Sequence, residues 1–181
     1  MTLTPVPLQS PPPTRAPEPT EAAGAGPPLV WLASRSPRRR QLLREAGIPH
    51  IAAHPGLEDS DLSPGRVTPA QWVASLAMLK ASAGLTQALA TGEPPPLILG
   101  ADTTCVADGR LIGTPASAEE AREMIRRFVD REHEVISGVA LLTHADGAVR
   151  TREMFAVGAR VRLGPLGDAE IDRYIETGEW K

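Results

Sequence analysis

The sequence is poor in residues that define several classes of protein. Its 181 residues include one cysteine, Cys105, which excludes a disulfide framework and a cysteine-based zinc site. No run of roughly 18 or more apolar residues occurs, so no membrane-spanning helix is predicted. The formal net charge of −3 argues against non-specific nucleic-acid binding, and the few aromatic residues leave little for base stacking. The first 28 residues lack the basic and apolar regions of a secretory signal, so a cytoplasmic protein is expected.

Proline, in contrast, is abundant and unevenly distributed. Nine of the 19 prolines lie in residues 1–28, which contain few side chains that could be buried. Such a composition does not support a packed core, and it predicts a disordered proline-rich tail. The other ten prolines are an ordinary number for residues 29–181, which have the composition of one globular domain.

Apolar periodicity and capping residues predict a mixed α/β domain in the order β-α-β-α-β-β-β-α-β-β-α. Ser36-Pro37 and Thr68-Pro69 are typical helix starts, and Ser117 with Glu120 forms a candidate capping box. Asp108-Gly109 predicts a tight hairpin turn. The predicted strands are residues 29–33, 49–53, 97–100, 103–107, 110–112, 133–142 and 149–163. The predicted helices are residues 37–46, 69–90, 118–129 and 168–177.

The first candidate site is the segment 34–40, which follows a strand and opens a helix. Free N–H groups at a helix N-terminus, together with hydroxyl and guanidinium groups, suit the binding of a polyphosphate. Positive charge at that end opposes the helix dipole, so Arg38, Arg39 and Arg40 are costly there unless an anion is bound. A solvated basic first turn is the alternative explanation.

Acidic residues form two further candidates. Asp102 follows a short apolar strand, where a carboxylate is costly unless it binds a metal or takes a proton from water. An aspartate that caps a turn is an equally open alternative. The acidic loop 58–61 could supply magnesium ligands, although solvated loop carboxylates are the more common case. Lys80, on the helix after this loop, could reach an anion or lie on the surface.

Several ordered motifs resemble the Maf family of nucleoside triphosphate pyrophosphatases. The opening motif of that family is similar to residues 32–39, Leu-Ala-Ser-Arg-Ser-Pro-Arg-Arg, with Leu42-Leu43 and Gly47-Ile48 behind them. The resemblance continues through residues 100–103, Gly-Ala-Asp-Thr, and ends at residues 177–179, Thr-Gly-Glu. It therefore covers residues 29–181.

This resemblance implies a fold and a reaction. The fold is an elongated mixed β-sheet flanked by helices, in two lobes with a central cleft. The reaction is the hydrolysis of a nucleoside triphosphate to the monophosphate and pyrophosphate, a house-cleaning activity that uses Mg²⁺ or Mn²⁺. The pairing of Ser-Pro-Arg-Arg with Ala-Asp-Thr resembles the branch of the family that acts on UTP and dTTP.

The same resemblance implies roles for individual residues. Asp102 corresponds to the general base, and Asp59 aligns with a loop glutamate of the family, so these two are expected to bind the metal. The implied substrate-binding residues are Ser34, Ser36, Arg38, Arg39, Lys80 and Thr103.

Two departures from the family pattern motivate an alternative. Thr114 stands where the family has a lysine, and the chain stops where family members continue with a further segment. The domain 29–181 is therefore expected to lack the family's C-terminal end. A catalytically impaired nucleotide-binding protein is the alternative to an active enzyme. A nucleoside triphosphate is the expected partner, neither nucleic acid nor a membrane is expected, and a homodimer is kept open.

Overall fold

The computed structural model describes residues 27–57, 62–145 and 148–180, so the predicted tail up to residue 26 and Asp59 lie outside the described residues. The strands are β1 (Val30–Ala33), β2 (His50–Ala53), β3 (Leu97–Ala107), β4 (Arg110–Ile112), β5 (Glu132–Ala145) and β6 (Ala148–Arg162). The helices are α1 (Pro37–Glu45), α2 (Pro69–Leu89), α3 (Ala118–Phe128) and α4 (Asp168–Thr177). Within the described ranges, no helix combines the length and the apolar character needed to cross a membrane.

Three of these helices begin where their capping residues predict. The side chains of Ser36 and Thr68 accept hydrogen bonds from N–H groups in the first turns of α1 and α2. Ser117 caps α3 in the same way, but the carboxylate of Glu120 accepts from the backbone N–H of Ala116 rather than from that of Ser117. The predicted capping box of α3 is therefore only half formed, because Glu120 binds the N–H group of the residue before the N-cap.

All strands belong to one mixed sheet with the order β2-β1-β3-β5-β6, and β4 pairs with β3 beside this path. β1 is parallel to both β2 and β3, whereas β3, β5 and β6 form an antiparallel series. β5 has 14 residues, so at about 3.3 Å per residue the sheet is about 45 Å long. The prediction of an elongated mixed sheet flanked by helices is confirmed.

The two strands predicted at residues 97–100 and 103–107 are in fact one strand. β3 pairs with β5 without interruption from Leu97 to Val106, and Asp102 lies in its middle, opposite Gly138. The prediction of a break was wrong because a carboxylate inside a buried strand is unusual. The strand continues through Asp102 because α2 supplies a cation that pairs with this carboxylate.

One edge of β3 contains a gap between two neighbouring strands. β1 pairs with β3 as far as Gly100, and β4 pairs with it from Cys105 onward. Residues 101–104 therefore have no strand partner on that edge among the described residues. Asp102 lies in this gap, next to the carboxyl end of β1. Ligand sites in α/β proteins commonly form at such carboxyl ends.

Helix α2 packs directly against the sheet because two glycines let its backbone approach β3 and β5. A Cβ atom at Gly100 would overlap the carbonyl oxygen of Ala77, and one at Gly138 would overlap that of Val73. Around these contacts the core consists of small and apolar side chains: Trp31, Ala33, Ala77, Ala81, Ala88, Ile98, Ala140 and Leu142. The position of α2 relative to β3 is thereby closely fixed.

Helices α3 and α4 form a second packed body where β5 begins and β6 ends. Their buried cluster is made by Ala121 of α3 with Ile171 and Ile175 of α4. Arg122 donates a hydrogen bond to Asp172 across the two helices at 2.7 Å. This body is distinct from the core under α2.

Candidate active site

The N-terminus of α1 carries hydroxyl and guanidinium groups beyond the carboxyl end of β1. Ser34 is buried, and its Oγ accepts hydrogen bonds from the backbone N–H of Ser36 at 3.2 Å and from Nη1 of Arg39 at 3.1 Å. Ser36 in turn accepts a hydrogen bond from the backbone N–H of Arg39. The guanidinium of Arg39 is therefore folded back over the start of its own helix. An anion placed there is stabilised both by the guanidinium and by the helix dipole.

Asp102 forms a buried ion pair with Lys80 of α2. Nζ of Lys80 lies 2.6 Å from Oδ1 of Asp102, and the two side chains are 11% and 10% exposed. A charged carboxylate at this depth requires such a partner, because it has lost most of its hydration. Lys80 therefore lies beside the candidate base and not on the surface of the helix.

A second nitrogen of Arg39 crosses to the sheet. Nη2 donates to Oγ1 of Thr103 on β3 at 3.1 Å, and this oxygen lies 3.0 Å from Oγ of Ser137 on β5. Thr103, predicted to bind substrate, is thus a hydrogen-bond partner of the arginine predicted to do the same. The contacts join the start of α1 to two strands of the sheet.

A cavity of about 430 Å³ opens between these groups. It brings together five residues that the sequence predicted for the site: Ser34, Ser36, Arg39, Lys80 and Asp102. Thr103 is joined to it through its hydrogen bond with Arg39. Arg38 does not line this cavity, since its side chain is 65% exposed and lies 4.0 Å from the carboxylate of Glu45.

Three further polar residues line the same cavity without having been assigned an individual role from the sequence: Arg35, His54 and Thr114. Arg35 lies inside the motif at residues 32–39, so that motif could have identified it as a site residue. His54 directly follows β2, whose carboxyl end lies beside that of β1 because the two strands are parallel. Thr114 reaches the cavity from the segment after β4, at the position where the family pattern has a lysine.

The structure describes one of the two predicted metal ligands, Asp102. Asp59 lies outside the described residues. Within residues 27–57, 62–145 and 148–180, no three histidine, cysteine or acidic side chains form a candidate metal cluster. Mg²⁺ commonly binds one or two protein carboxylates together with substrate phosphate oxygens and water. Asp102, which lines the cavity, therefore fits a cation that binds together with a phosphate substrate.

Cys105 is the free cysteine of the sequence, and it lies on β3, where it lines a neighbouring cavity together with Asp102. Burial raises the pKa of its thiol. The thiol therefore stays protonated at neutral pH, and a protonated thiol is a poor nucleophile.

Residues 29–181 match the family model described as Maf-like protein. The chain belongs to the Maf family. This Maf-family chain is 39% identical over 148 residues to the dTTP/UTP pyrophosphatase of Symbiobacterium thermophilum, a match that covers 82% of the chain and 70% of the relative. It is 40% identical over 152 residues to the dTTP/UTP pyrophosphatase of Halalkalibacterium halodurans, covering 84% of the chain and 73% of the relative.

Solved structures show a weaker likeness to this Maf-family chain. The Ham1 protein of Staphylococcus aureus has a TM-score of 0.45 and 14% identity, covering 77% of this chain and 72% of that one. A HAM1 protein from Coxiella burnetii has a TM-score of 0.44 and 17% identity, covering 74% and 72%. Membership of the Maf family rests on the sequence match, and the motifs of that match meet around one cavity.

Proposed function

We propose that this Maf-family chain hydrolyses dTTP and UTP, or modified nucleotides of that class, to the nucleoside monophosphate and pyrophosphate. Water is added at the α-phosphorus, and the β- and γ-phosphates leave together. Removal of unwanted nucleotides, a house-cleaning role, is the proposed purpose. The substrate class is supported by the two relatives, which are 39% and 40% identical and carry the name dTTP/UTP pyrophosphatase.

A single cavity that joins a basic helix N-terminus to a buried carboxylate carries this proposal. Ser34, Ser36 and Arg39 supply hydrogen-bond donors and positive charge for a triphosphate. Arg38, exposed on the same first turn, is proposed to approach the outer phosphates from solvent. Neutralising the charge on the leaving pyrophosphate is the main requirement of this kind of phosphoryl chemistry.

Asp102 is the proposed general base for the attacking water. Lys80 engages its Oδ1 and holds the carboxylate in one orientation, while the side chain lines the cavity. Oδ2 is then proposed to accept a proton from water as the water oxygen attacks the α-phosphorus. A positioned base of this kind contributes about 10²–10⁴-fold to the rate. Lys80 also adds positive charge near the bound phosphates.

A divalent cation, Mg²⁺ or Mn²⁺, is proposed to bind together with the nucleotide. Asp102 and Asp59 are the proposed protein ligands, and phosphate oxygens and water complete the set. The cation, when bound, neutralises phosphate charge and polarises P–O bonds. Arg39 and Lys80 act on the same negative charge.

Product analysis with UTP and dTTP tests the proposal, with ATP and GTP as competing substrates and Mg²⁺ or Mn²⁺ present. We expect equal amounts of nucleoside monophosphate and pyrophosphate, with orthophosphate only after inorganic pyrophosphatase is added. Asp102→Asn is expected to lower kcat by about 10²–10⁴-fold, because an amide oxygen does not take up the proton.

Asp108→Asn is the matched control for this substitution. It makes the same chemical change in the turn between β3 and β4, where Asp108 has a φ of 50° that asparagine also tolerates. Asp108 does not line the candidate cavity, so wild-type turnover is expected. Equal turnover in Asp102→Asn and wild type contradicts the role of Asp102. UTP binding without product formation favours the catalytically impaired alternative that Thr114 motivates.

A homodimer and a cytoplasmic location stay predictions. Light scattering of the purified chain, with and without UTP, measures the first. Fractionation of the cells that express it measures the second.

A further inference from the structure

Ser137 lies on β5 directly opposite Thr103 of β3. The two hydroxyl oxygens are 3.0 Å apart, and Oγ1 of Thr103 also accepts a hydrogen bond from Nη2 of Arg39 at 3.1 Å. Ser137 does not itself line the cavity that holds Asp102. It lines a neighbouring cavity of about 560 Å³ together with Arg39 and Thr103, and its hydrogen-bonded link to the site runs through Thr103 to Arg39.

The chemistry of the groups sets the direction of the hydrogen bond between Arg39 and Thr103. A guanidinium group only donates, so Oγ1 of Thr103 accepts from Arg39. In the bond to Ser137 either hydroxyl can donate, because Oγ1 of Thr103 has two lone pairs. In both directions the bond to Ser137 restricts rotation of the Thr103 hydroxyl and leaves a lone pair of Oγ1 for Arg39.

Both ends of this hydrogen-bonded chain are anchored. Nη1 of Arg39 donates to Oγ of Ser34 at 3.1 Å, so the guanidinium is held at two of its nitrogens. At the other end, Gly138 follows Ser137 and packs against the backbone of α2, with no room for a Cβ atom. The position of β5, and with it the register of Ser137 opposite Thr103, is thereby fixed.

We propose that Ser137 is a positioning residue for Arg39, acting through Thr103. The inference deepens the proposed function, on which it rests, because Arg39 is there assigned to bind the triphosphate. A guanidinium held at two nitrogens is fixed in one orientation, so less order has to be gained when phosphate binds. Loss of the Ser137 hydroxyl frees that of Thr103 to rotate and weakens binding of the substrate.

Ser137→Ala and Ser137→Thr test this role, with UTP affinity measured by calorimetry and with kcat and KM measured separately. Ser137→Ala is expected to weaken UTP binding and raise KM by about fivefold, which corresponds to one neutral hydrogen bond, while kcat changes by less than about twofold. Ser137→Thr is expected to retain wild-type affinity. Two threonines already face each other in this sheet, with the Oγ1 atoms of Thr143 and Thr151 only 2.7 Å apart.

Thr143→Ala is the matched control, because it removes a cross-strand hydroxyl pair from the far end of the same strand. It is expected to leave UTP binding unchanged. The decisive measurement is a double-mutant cycle with Arg39→Ala. In that background Ser137→Ala is expected to have no further effect on UTP affinity, because the group that it positions is gone.

A fivefold loss that persists in the Arg39→Ala background overturns the proposal, since Ser137 would then act independently of Arg39. Wild-type UTP affinity in Ser137→Ala overturns it as well, and so does an equal loss in Thr143→Ala. A wild-type chain that binds UTP but releases no pyrophosphate contradicts the proposed function alone. In that case the double-mutant cycle still tests the role of Ser137, because it measures UTP affinity and not turnover.

Discussion

Lys80 and Asp102 form a charge pair that joins α2 to β3 at the centre of the candidate site. Nζ of Lys80 and Oδ1 of Asp102 are 2.6 Å apart, at a depth where both side chains are about nine-tenths buried. Removal of one partner leaves the other charge buried without compensation, which costs more than the pair contributes net. Breaking the pair is therefore expected to lower stability as well as the proposed activity.

Lys80→Met is expected to lower the free energy of unfolding by about 3 kcal/mol, because Asp102 loses its lysine partner in a buried position. Urea unfolding followed by circular dichroism measures this change. The control is Arg126→Met, which removes one side of an exposed ion pair with Asp168 and is expected to cost about 0.5 kcal/mol. Equal costs for the two substitutions would contradict the importance of burial.

Asp102 and Lys80 could each be proposed from the sequence, but their contact could not. Asp102 is a candidate site residue because it follows an apolar run, and Lys80 is one because it lies on the helix after an acidic loop. Their direct bond depends on how α2 lies across β3, which no local pattern encodes. Ser137 was missed for the same reason, since its partner Thr103 lies 34 residues away and on another strand.

At the scale of elements, the close contact between α2 and the sheet brings Lys80 to Asp102. Gly100 and Gly138 allow this contact, because a Cβ atom at either position would also lie 2.6 Å from a backbone nitrogen of α2. Both glycines face the helix from adjacent strands. Gly100 of β3 pairs with Ala140 of β5, and Gly138 of β5 pairs with Asp102 of β3. The site is therefore sensitive to any change in the distance between helix and sheet.

Gly100→Ala and Gly138→Ala are each expected to destabilise the protein by about 3 kcal/mol, because the added methyl group collides with the backbone of α2. Thermal unfolding measures this loss. Gly164→Ala is the control, since no described atom beyond its chain neighbours lies within 4 Å of its added Cβ. A change of less than about 0.5 kcal/mol is expected there. Equal stability of all three variants would contradict the packing described for α2.

Helix starts could be predicted more reliably than strands. The caps at Ser36 and Thr68 involve only neighbouring residues, so the local sequence contains all the information needed. The continuity of β3 through Asp102 depends instead on pairing with β5 and on Lys80, which are distant in sequence. Strand β6 alternates apolar residues with arginines over part of its length, yet its apolar side chains Phe155 and Val157 are 50% and 59% exposed in the described structure.

At the scale of the whole molecule, the mixed α/β class and nearly all of the element order could be predicted from periodicity and turn residues. The motif at residues 32–39 meets the motif at residues 100–103 because β1 leads into Ser34 and lies parallel to β3, which carries Asp102. Thr114 and His54 reach the cavity from other loops, whose paths depend on the complete fold. The predicted metal ligand Asp59 lies outside the described residues and stays a prediction.

The position of bond cleavage tests the central claim most directly. Hydrolysis of UTP in ¹⁸O-labelled water, followed by mass spectrometry of both products, identifies the phosphorus that water attacks. Attack at the α-phosphorus predicts one ¹⁸O atom in UMP, none in pyrophosphate, and loss of both products in Asp102→Asn. Label in pyrophosphate, or release of labelled orthophosphate in place of pyrophosphate, would contradict the proposed nucleotide pyrophosphatase.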